Sequence, residues 1–475
     1  MESNPFHERF HALFNPDTVA VIGASDKPDK LGYHVMKSLK EGGFQGRIVP
    51  VNPGATEIMG IAAFPSLAHY AGDIELAIVV VPAGKVPALF RECDAKGIRG
   101  IVLITAGFKE IDDPQGAEMQ ARLSDMTAGS RIPVIGPNTF GMINFHQGLN
   151  ASFTPEFSRL RPGGVALVSQ SGGVSHLLAF LGMHQNVGMS KIVGLGNRLN
   201  VDFPEMIHYL ERDPDTTVIA LYLEGVDDPR RLMDAAKATR GKKPIVAFKT
   251  GSALSGDSAS LSHTGSLAGN AAVYEGALRQ AGILTAESTQ DLLDLAKAFS
   301  LSSPPGGRRM AVLTGQAGPG MAACDVLEDQ GLKVARFERR TQATISGLLP
   351  PLALRTNPVD MGPAWYNSEA IQGIVRTVME ADEVDGILLL MMFASANRDA
   401  VSGLAEALRR WKQRKPIVTC LVAPPGVWDE QVTALENAGA LTNLPTPERA
   451  AKAMAGLWKY REMVSMSVRE PQRES

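Results

Sequence analysis

The chain has 475 residues, which at about 150 residues per domain corresponds to roughly three domains. Hydrophobic residues make up 44% and charged residues 20%, a composition that excludes disorder along the whole chain. With 47 basic against 50 acidic residues the net charge is -3, which excludes a broad nucleic-acid surface. No apolar run approaches the ~20 residues of a membrane helix. The opening MESNPFHERF is polar and mixed in charge rather than signal-like, so a soluble, cytoplasmic protein is expected. Cys93, Cys324 and Cys420 lie far apart without CxxC or Cys/His spacing. They read as free thiols in a reducing compartment, and no metal site is expected.

Short Val/Ile/Leu runs predict strands at Val19–Ile22, Ile48–Val51, Leu76–Val81, Gly100–Ile104 and Val134–Ile135. Further strands are predicted at Val165–Val168, Val218–Leu223, Ile245–Phe248, Met310–Leu313, Ile387–Met392 and Ile417–Leu421. Most of these runs are continuous rather than alternating, as in parallel strands buried on both faces. Helical stretches such as Asp291–Phe299 and Glu406–Lys415 lie between them, giving an α/β fold of right-handed βαβ units. Boundaries are expected near Arg161-Pro-Gly-Gly164 and in the linker Ser302-Ser-Pro-Pro-Gly-Gly307. A strand runs into a small-residue turn and a helix at Gly23, Ser169 and Gly315, three evenly spaced positions. Two later stretches also resemble each other. VIALYLEG followed by Lys243-Pro-Ile-Val246 matches ILLLMMFA followed by Lys415-Pro-Ile-Val418.

The first loop, VAVIGASDKPDKLG, is a Rossmann-like strand–turn–helix opening with glycines at 23 and 32, too far apart for GxGxxG. The second strand ends in Asn52, where a dinucleotide site would carry Asp or Glu for the ribose. Further loops follow strand ends at Pro82-Ala-Gly84, Thr105-Ala-Gly-Phe-Lys109 and Gly136-Pro-Asn-Thr-Phe-Gly141. In an open parallel sheet these share the carboxyl edge, where ligands bind. Ser169-Gln-Ser-Gly-Gly173 and Gln316-Ala-Gly-Pro-Gly320 sit at predicted helix starts, where free N–H groups favour an anion. Simple packing turns would look alike. His263, in SHTGSLAG, is the one histidine of nine within a loop of small residues, and Glu224 follows a strand at the carboxyl edge. An accessible imidazole oriented by a carboxylate is a nucleophile toward phosphorus. An ordinary hydrogen-bonded loop histidine is the competing reading. Aligning the two repeated stretches sets Phe393 opposite Glu224, and no histidine follows the second Lys-Pro-Ile-Val.

The motifs VAVIGASDKPDKLG, VNPG, GFKE, GPNTFG, ALVSQSGG, YLEG, SHTGSLAG, TGQAGPG and NPVDMG, in this order over roughly residues 10–460, resemble the NDP-forming acyl-CoA synthetases. The likeness is to the alpha chains of the ADP-forming acetate–CoA ligases, relatives of succinyl-CoA synthetase. It implies an N-terminal Rossmann-like CoA-binding domain (1–147) and two flavodoxin-like parallel-sheet domains (148–301 and 308–465). It implies a CoA site formed by Gly23, Ala24, Ser25, Lys30, Leu31, Gly32, Asn52, Pro53, Pro82, Ala83, Ala106, Gly107, Phe108, Pro137 and Asn138. His263 then becomes the phosphohistidine and Glu224 the glutamate that holds it. Ser169, Gln170, Ser171, Gly172 and Gly173, with Gln316, Ala317, Gly318 and Gly320, become the phosphoryl-binding helix starts. Ala55 departs from the basic residue that succinate-specific relatives carry. The implied reaction makes an acyl-CoA from a small carboxylic acid, CoA and ATP. ATP/ADP and Mg would sit on a separate ATP-grasp beta subunit, because three domains already consume the length. A non-catalytic CoA-binding regulatory protein is the alternative, and an NAD-dependent oxidoreductase is disfavoured by Asn52.

Overall fold

The computed structural model describes residues 5–251, 271–404, 408 and 415–469. Each predicted strand is present, its ends within three residues of the expected ones. Parts of the predicted helix Glu406–Lys415, and His263 with its loop, lie outside the described residues. The chain divides into two compact units, Met1–Leu292 and Leu293–Ser475.

The first unit holds two sheets. In the first, β1 (Thr18–Ile22), β2 (Arg47–Val51), β5 (Leu76–Val79), β6 (Gly100–Leu103) and β7 (Val134–Ile135) are parallel in the order β2-β1-β5-β6-β7. A small hairpin, β3 (Glu57–Ile58) and β4 (Ile61–Ala62), follows β2. The second sheet contains β8 (Gly141–Asn144), β9 (Leu149–Ser152), β10 (Pro162–Ser169), β11 (Met189–Gly194), β12 (Val218–Leu223), β13 (Ile245–Lys249) and β14 (Ile283–Thr285), in the order β14-β13-β12-β10-β11-β8-β9. Its five strands from β10 to β14 are parallel, while β8 and β9 add an antiparallel edge. All six residues of β12 are buried, as a strand covered on both faces requires. The chain leaves β7 and enters the second sheet at Gly141. The intervening loop therefore lies between the two carboxyl edges. One apolar cluster joins the sheets, with Phe14, Val21 and Met142 packed among Val168, Ile207 and Leu210.

Several strands escaped the sequence reading, and in β8, β9 and β11 polar residues explain it. Asn144 in β8 is fully buried and donates from its side-chain amide to the Phe14 carbonyl at 3.0 Å. Asn150 in β9 donates to the Thr154 carbonyl at 3.1 Å. In β11 the ammonium of the buried Lys191 lies 2.6 Å from the Asp213 carboxylate. Internal partners satisfy these groups, so they sit in a core that their side chains alone would exclude. The other missed strands are short: β14 has three residues, and β3, β4, β16, β17 and β20 have two each.

The second unit carries β15 (Arg309–Thr314), β16 (Lys333–Val334), β17 (Val359–Asp360), β18 (Gly386–Met392), β19 (Ile417–Val422) and β20 (Thr442–Asn443). The order is β16-β15-β18-β19-β20, with β17 also paired to β15, and all pairings are parallel. Its first helical residues are held by buried ion pairs, Lys297 with Glu436 and Asp294 with Arg449, both at 2.6 Å. The stretch Ser302–Gly307 thus lies within this unit. The repeated Lys-Pro-Ile-Val has one job in both copies. The Lys243 ammonium donates to the carbonyls of Leu210 and Asp213, and the Lys415 ammonium to those of Val378 and Ala381. Each lysine caps the carbonyl end of the helix before the strand, where a cation meets the negative end of the dipole.

Cys93, Cys324 and Cys420 are free thiols, and burial pushes them up to about 12, 11 and 12. Among the described residues no helix is long and apolar enough to cross a membrane.

Asp213→Ala would strand the Lys191 ammonium inside the first unit. Chemical denaturation should lose about 3–5 kcal/mol, and Lys191→Met added to it should recover part of that loss. A loss under ~1 kcal/mol would show that the pair is not the partner Lys191 depends on.

Candidate active site

Parallel pairing brings the ends of β10, β11 and β12 to one edge. The turn after β10 is built by short polar bonds. Ser169 Oγ donates to the Ser171 carbonyl at 3.0 Å and accepts from the Ser171 N–H at 3.1 Å. Ser171 then caps the helix Gly172–His184, its Oγ accepting from the Val174 N–H at 3.3 Å. A Cβ added at Gly172 or Gly173 would meet nothing closer than 3.8 Å, so the helix start is open. Its first N–H groups have no partner within the helix and carry the positive end of the dipole.

Gln170 ties this turn to the end of β12. Its Oε1 accepts from the N–H groups of Glu224 and Gly225, and its Nε2 donates to the Gly225 carbonyl at 2.9 Å. Three hydrogen bonds from one neutral amide therefore fix where the Glu224 backbone stands beside the helix start.

The first sheet contributes from the other side. A pocket of about 290 Å³ is lined by Lys109, Asn138, Gln170, Gly196, Asn197, Arg198 and Glu224. Asn138 follows the cis Gly136–Pro137 bond and has φ 57, and Arg198 has φ 59, both left-handed for residues other than glycine. Such strain is held by surrounding contacts and gathers at functional sites. Here the Asn197 N–H donates to the Pro137 carbonyl at 2.9 Å, and Asn138 Nδ2 donates to Asn197 Oδ1 at 3.3 Å. Gly196 is obligatory, because a Cβ would lie 2.1 Å from the Pro137 carbonyl oxygen. The Arg198 side chain, 2% exposed, donates to Asp202 at 3.0 Å and Asp227 at 2.9 Å.

Burial alone would raise the Glu110 carboxyl. Hydrogen bonds from Asn197 and from the N–H groups of Gly107 and Phe108 outweigh it and hold the group below the usual range. Lys109 shifts down from the ordinary lysine range, through burial first and the Arg198 charge second, against Asp227, Asp202 and Glu110.

Around the first loop, Gly23 has φ 92, and a Cβ on Gly32 would lie 2.0 Å from the Gly23 carbonyl oxygen. The helix Leu31–Glu41 can approach the end of β1 only with glycine there. Its N-cap Lys30 makes no side-chain cap, and no acidic residue stands in its first turn. This is an open, positively poled helix start that fits a phosphate ester. Ser25 Oγ accepts from the Lys27 N–H at 3.0 Å. Asn52 Nδ2 donates to the Ala24 carbonyl and Asn52 Oδ1 accepts from the Gly54 N–H, both at 2.8 Å, so this side chain laces two loops together. Leu31, Pro53, Pro82 and Ala106 are exposed around that edge, and Ala83 packs 3.3 Å from the Cβ position of Gly107. Ala24, Phe108 and Pro137 are buried and serve as packing.

Of the expected residues, the pocket unites Asn138, Gln170 and Glu224. Gln316 to Gly320 belong to the second unit. There Gln316 precedes the helix Ala317–Asp329 without a side-chain cap, and its amide meets the Met392 backbone at 3.4 and 3.5 Å. Lys109, Asn197 and Arg198 were not singled out from sequence. Lys109 was visible in GFKE, but Asn197 and Arg198 follow β11, the strand that Lys191 disguised.

A family model for a CoA binding domain matches residues 17–144, and one for a succinyl-CoA ligase like flavodoxin domain matches residues 162–299. The acetate–CoA ligase [ADP-forming] II subunit alpha of Pyrococcus furiosus is 36% identical over 450 residues, covering 94% of this chain and 96% of the relative. The chain belongs to the ADP-forming acetate–CoA ligase family. The family's acetate–CoA ligase [ADP-forming] of Methanocaldococcus jannaschii is 35% identical, with 94% of this chain aligned to 62% of that protein. Among solved structures, dinucleotide forming acetyl-coenzyme A synthetase 1 of Ca. Korarchaeum cryptofilum, in complex with phosphate and ADP, superposes with a TM-score of 0.90 at 32% identity. That match covers 98% of this chain and 99% of the other.

Gly32→Ala should lower the thermal midpoint of the first unit, since backbone at 2.0 Å must move. Gly347→Ala, a helical position with nothing within 4 Å, should leave stability unchanged or raised. Calorimetric scans of both variants check this, and equal midpoints would refute the close approach.

Proposed function

We propose that this chain is the alpha subunit of an ADP-forming acid–CoA ligase, which makes acyl-CoA from a small carboxylate, CoA and ATP, reversibly. Acetate, the acid in the relatives' names, is the first substrate to try. The observation that carries the reading is the pocket itself. Glu224 is held by Gln170 beside an open helix start and faces Asn138 from the CoA-binding fold. The domain assignment that goes with it is CoA binding in 1–147 and phosphoryl chemistry in 148–301, with a second flavodoxin-like domain in 308–465.

In this reading His263 takes the γ-phosphoryl group of ATP and ADP leaves. Glu224 accepts the hydrogen bond of the other ring nitrogen, orienting the imidazole and raising its basicity. A carboxylate oxygen of the substrate then attacks phosphorus, breaking the P–N bond and forming an acyl phosphate. The CoA thiolate attacks the acyl carbon and expels phosphate. Transfer through histidine spares the enzyme a simultaneous meeting of three substrates. The helix start at Gly172 supplies N–H donors to the phosphoryl oxygens. The Gly23–Gly32 turn, with Asn52 lacing its loop, is assigned to the CoA phosphates.

The nucleotide and its Mg2+ are assigned to an ATP-grasp beta subunit, making a hetero-oligomer in the cytoplasm. The reading is supported by the Methanocaldococcus relative, more than a third of which extends beyond the part aligned with this chain.

Labelled acetyl phosphate should phosphorylate the chain at a group that loses its label in acid and keeps it in base. His263→Ala should abolish the label. Glu224→Gln should slow labelling by ~100- to 10,000-fold, the range of acid–base partners, with the fold intact by circular dichroism. Normal acyl-CoA synthesis by His263→Ala with the partner present would refute the mechanism.

Labelled ATP should leave the lone chain unmarked and mark it once the partner is added. Efficient labelling of the lone chain by ATP would place a nucleotide site here and overturn the subunit assignment.

A further inference from the structure

We propose that the Lys109 ammonium is the cation that holds the phosphoryl group in this pocket, a role that rests on the acyl-phosphate reading above. Lys109 lines the pocket with Gln170 and Glu224. It is half-buried, and among the described residues its ammonium meets no hydrogen-bond or ion-pair partner. The other cation of the pocket is committed, since Arg198 bonds Asp202 and Asp227. A partly desolvated ammonium with no directly bonded partner is costly, and a bound anion removes that cost.

Charge balance gives the same answer. A phosphate with two or more negative charges must sit near the Glu224 carboxylate. One helix start contributes roughly half a positive charge. A further cation is needed, and Lys109 supplies it. The chemistry of the head group favours phosphate over the substrate carboxylate. An ammonium presents three rotatable donors to a tetrahedral anion whose attachment changes from nitrogen to acyl oxygen to none, whereas a planar carboxylate is better matched by the guanidinium fork.

The loop presents this side chain stiffly. The N–H groups of Gly107 and Phe108 donate to Glu110, Phe108 is fully buried, and the Lys109 N–H donates to Gln120 Oε1 at 3.4 Å. Burial and the Arg198 charge also press the ammonium toward losing its proton, a tendency that a bound phosphate would reverse.

The test titrates the chain with inorganic phosphate, acetate and CoA by calorimetry, and measures labelling from acetyl phosphate, in wild type, Lys109→Met and Lys109→Arg. Lys109→Met keeps the length and removes the charge. It should weaken phosphate binding by at least ~10-fold, the usual effect of losing a hydrogen bond to a charged group, and slow labelling. Acetate and CoA affinities and the thermal midpoint should not move, and Lys109→Arg should recover part of the phosphate affinity. Unchanged phosphate affinity in Lys109→Met overturns the proposal, as does a loss confined to acetate or to CoA. A wild-type chain that neither binds phosphate nor takes label sinks the acyl-phosphate reading together with this one. A wild type that does both, matched by Lys109→Met, sinks only the role of Lys109.

Discussion

The Gln170 side-chain amide is the contact on which the pocket depends. Backbone at the end of a buried strand must find partners once the ladder stops, and water is scarce there. Gln170 provides them for Glu224 and Gly225 from the neighbouring strand end. The same few bonds set the distance between a carboxylate and an open helix start. A neutral amide suits the task, because a charged residue in its place would compete with the anion the helix start attracts.

The second unit repeats part of the scaffold. Gln316 meets the Met392 backbone, and Lys415 caps a helix end as Lys243 does. The sequence alignment set Phe393 opposite Glu224, but the strand register sets Met392 there, and Phe393, one residue further on, packs edge-on against Trp428 at 5.7 Å. The contacts that hold the scaffold recur, whereas the groups that face a ligand differ, which is how a fold can be reused for support.

Strand ends, small-residue turns and the fold class were legible because buried parallel strands need continuous apolar residues and turns need glycine. Gln170, Asn138 and Glu224 could be picked out by their place after strands. Other features were hidden in a particular way. Lys191, Asn144 and Asn150 are polar residues in a core, acceptable only because Asp213, Phe14 and Thr154 answer them in the folded chain. Missing the Lys191 strand meant missing Asn197 and Arg198, which follow it.

The sequence by itself determined the order of strands and helices, the glycines that permit close turns, and the residue types offered at each carboxyl edge. Those depend on neighbours along the chain, and local propensity and periodicity record them. Only the tertiary structure decided that the loop ends of two different sheets share one pocket. Only there do Lys109 and Glu224 line one pocket across 115 positions of sequence, and only there is Arg198 spent on Asp202 and Asp227. Which charges are already paired is a property of distances in space, and no spacing along a chain encodes it.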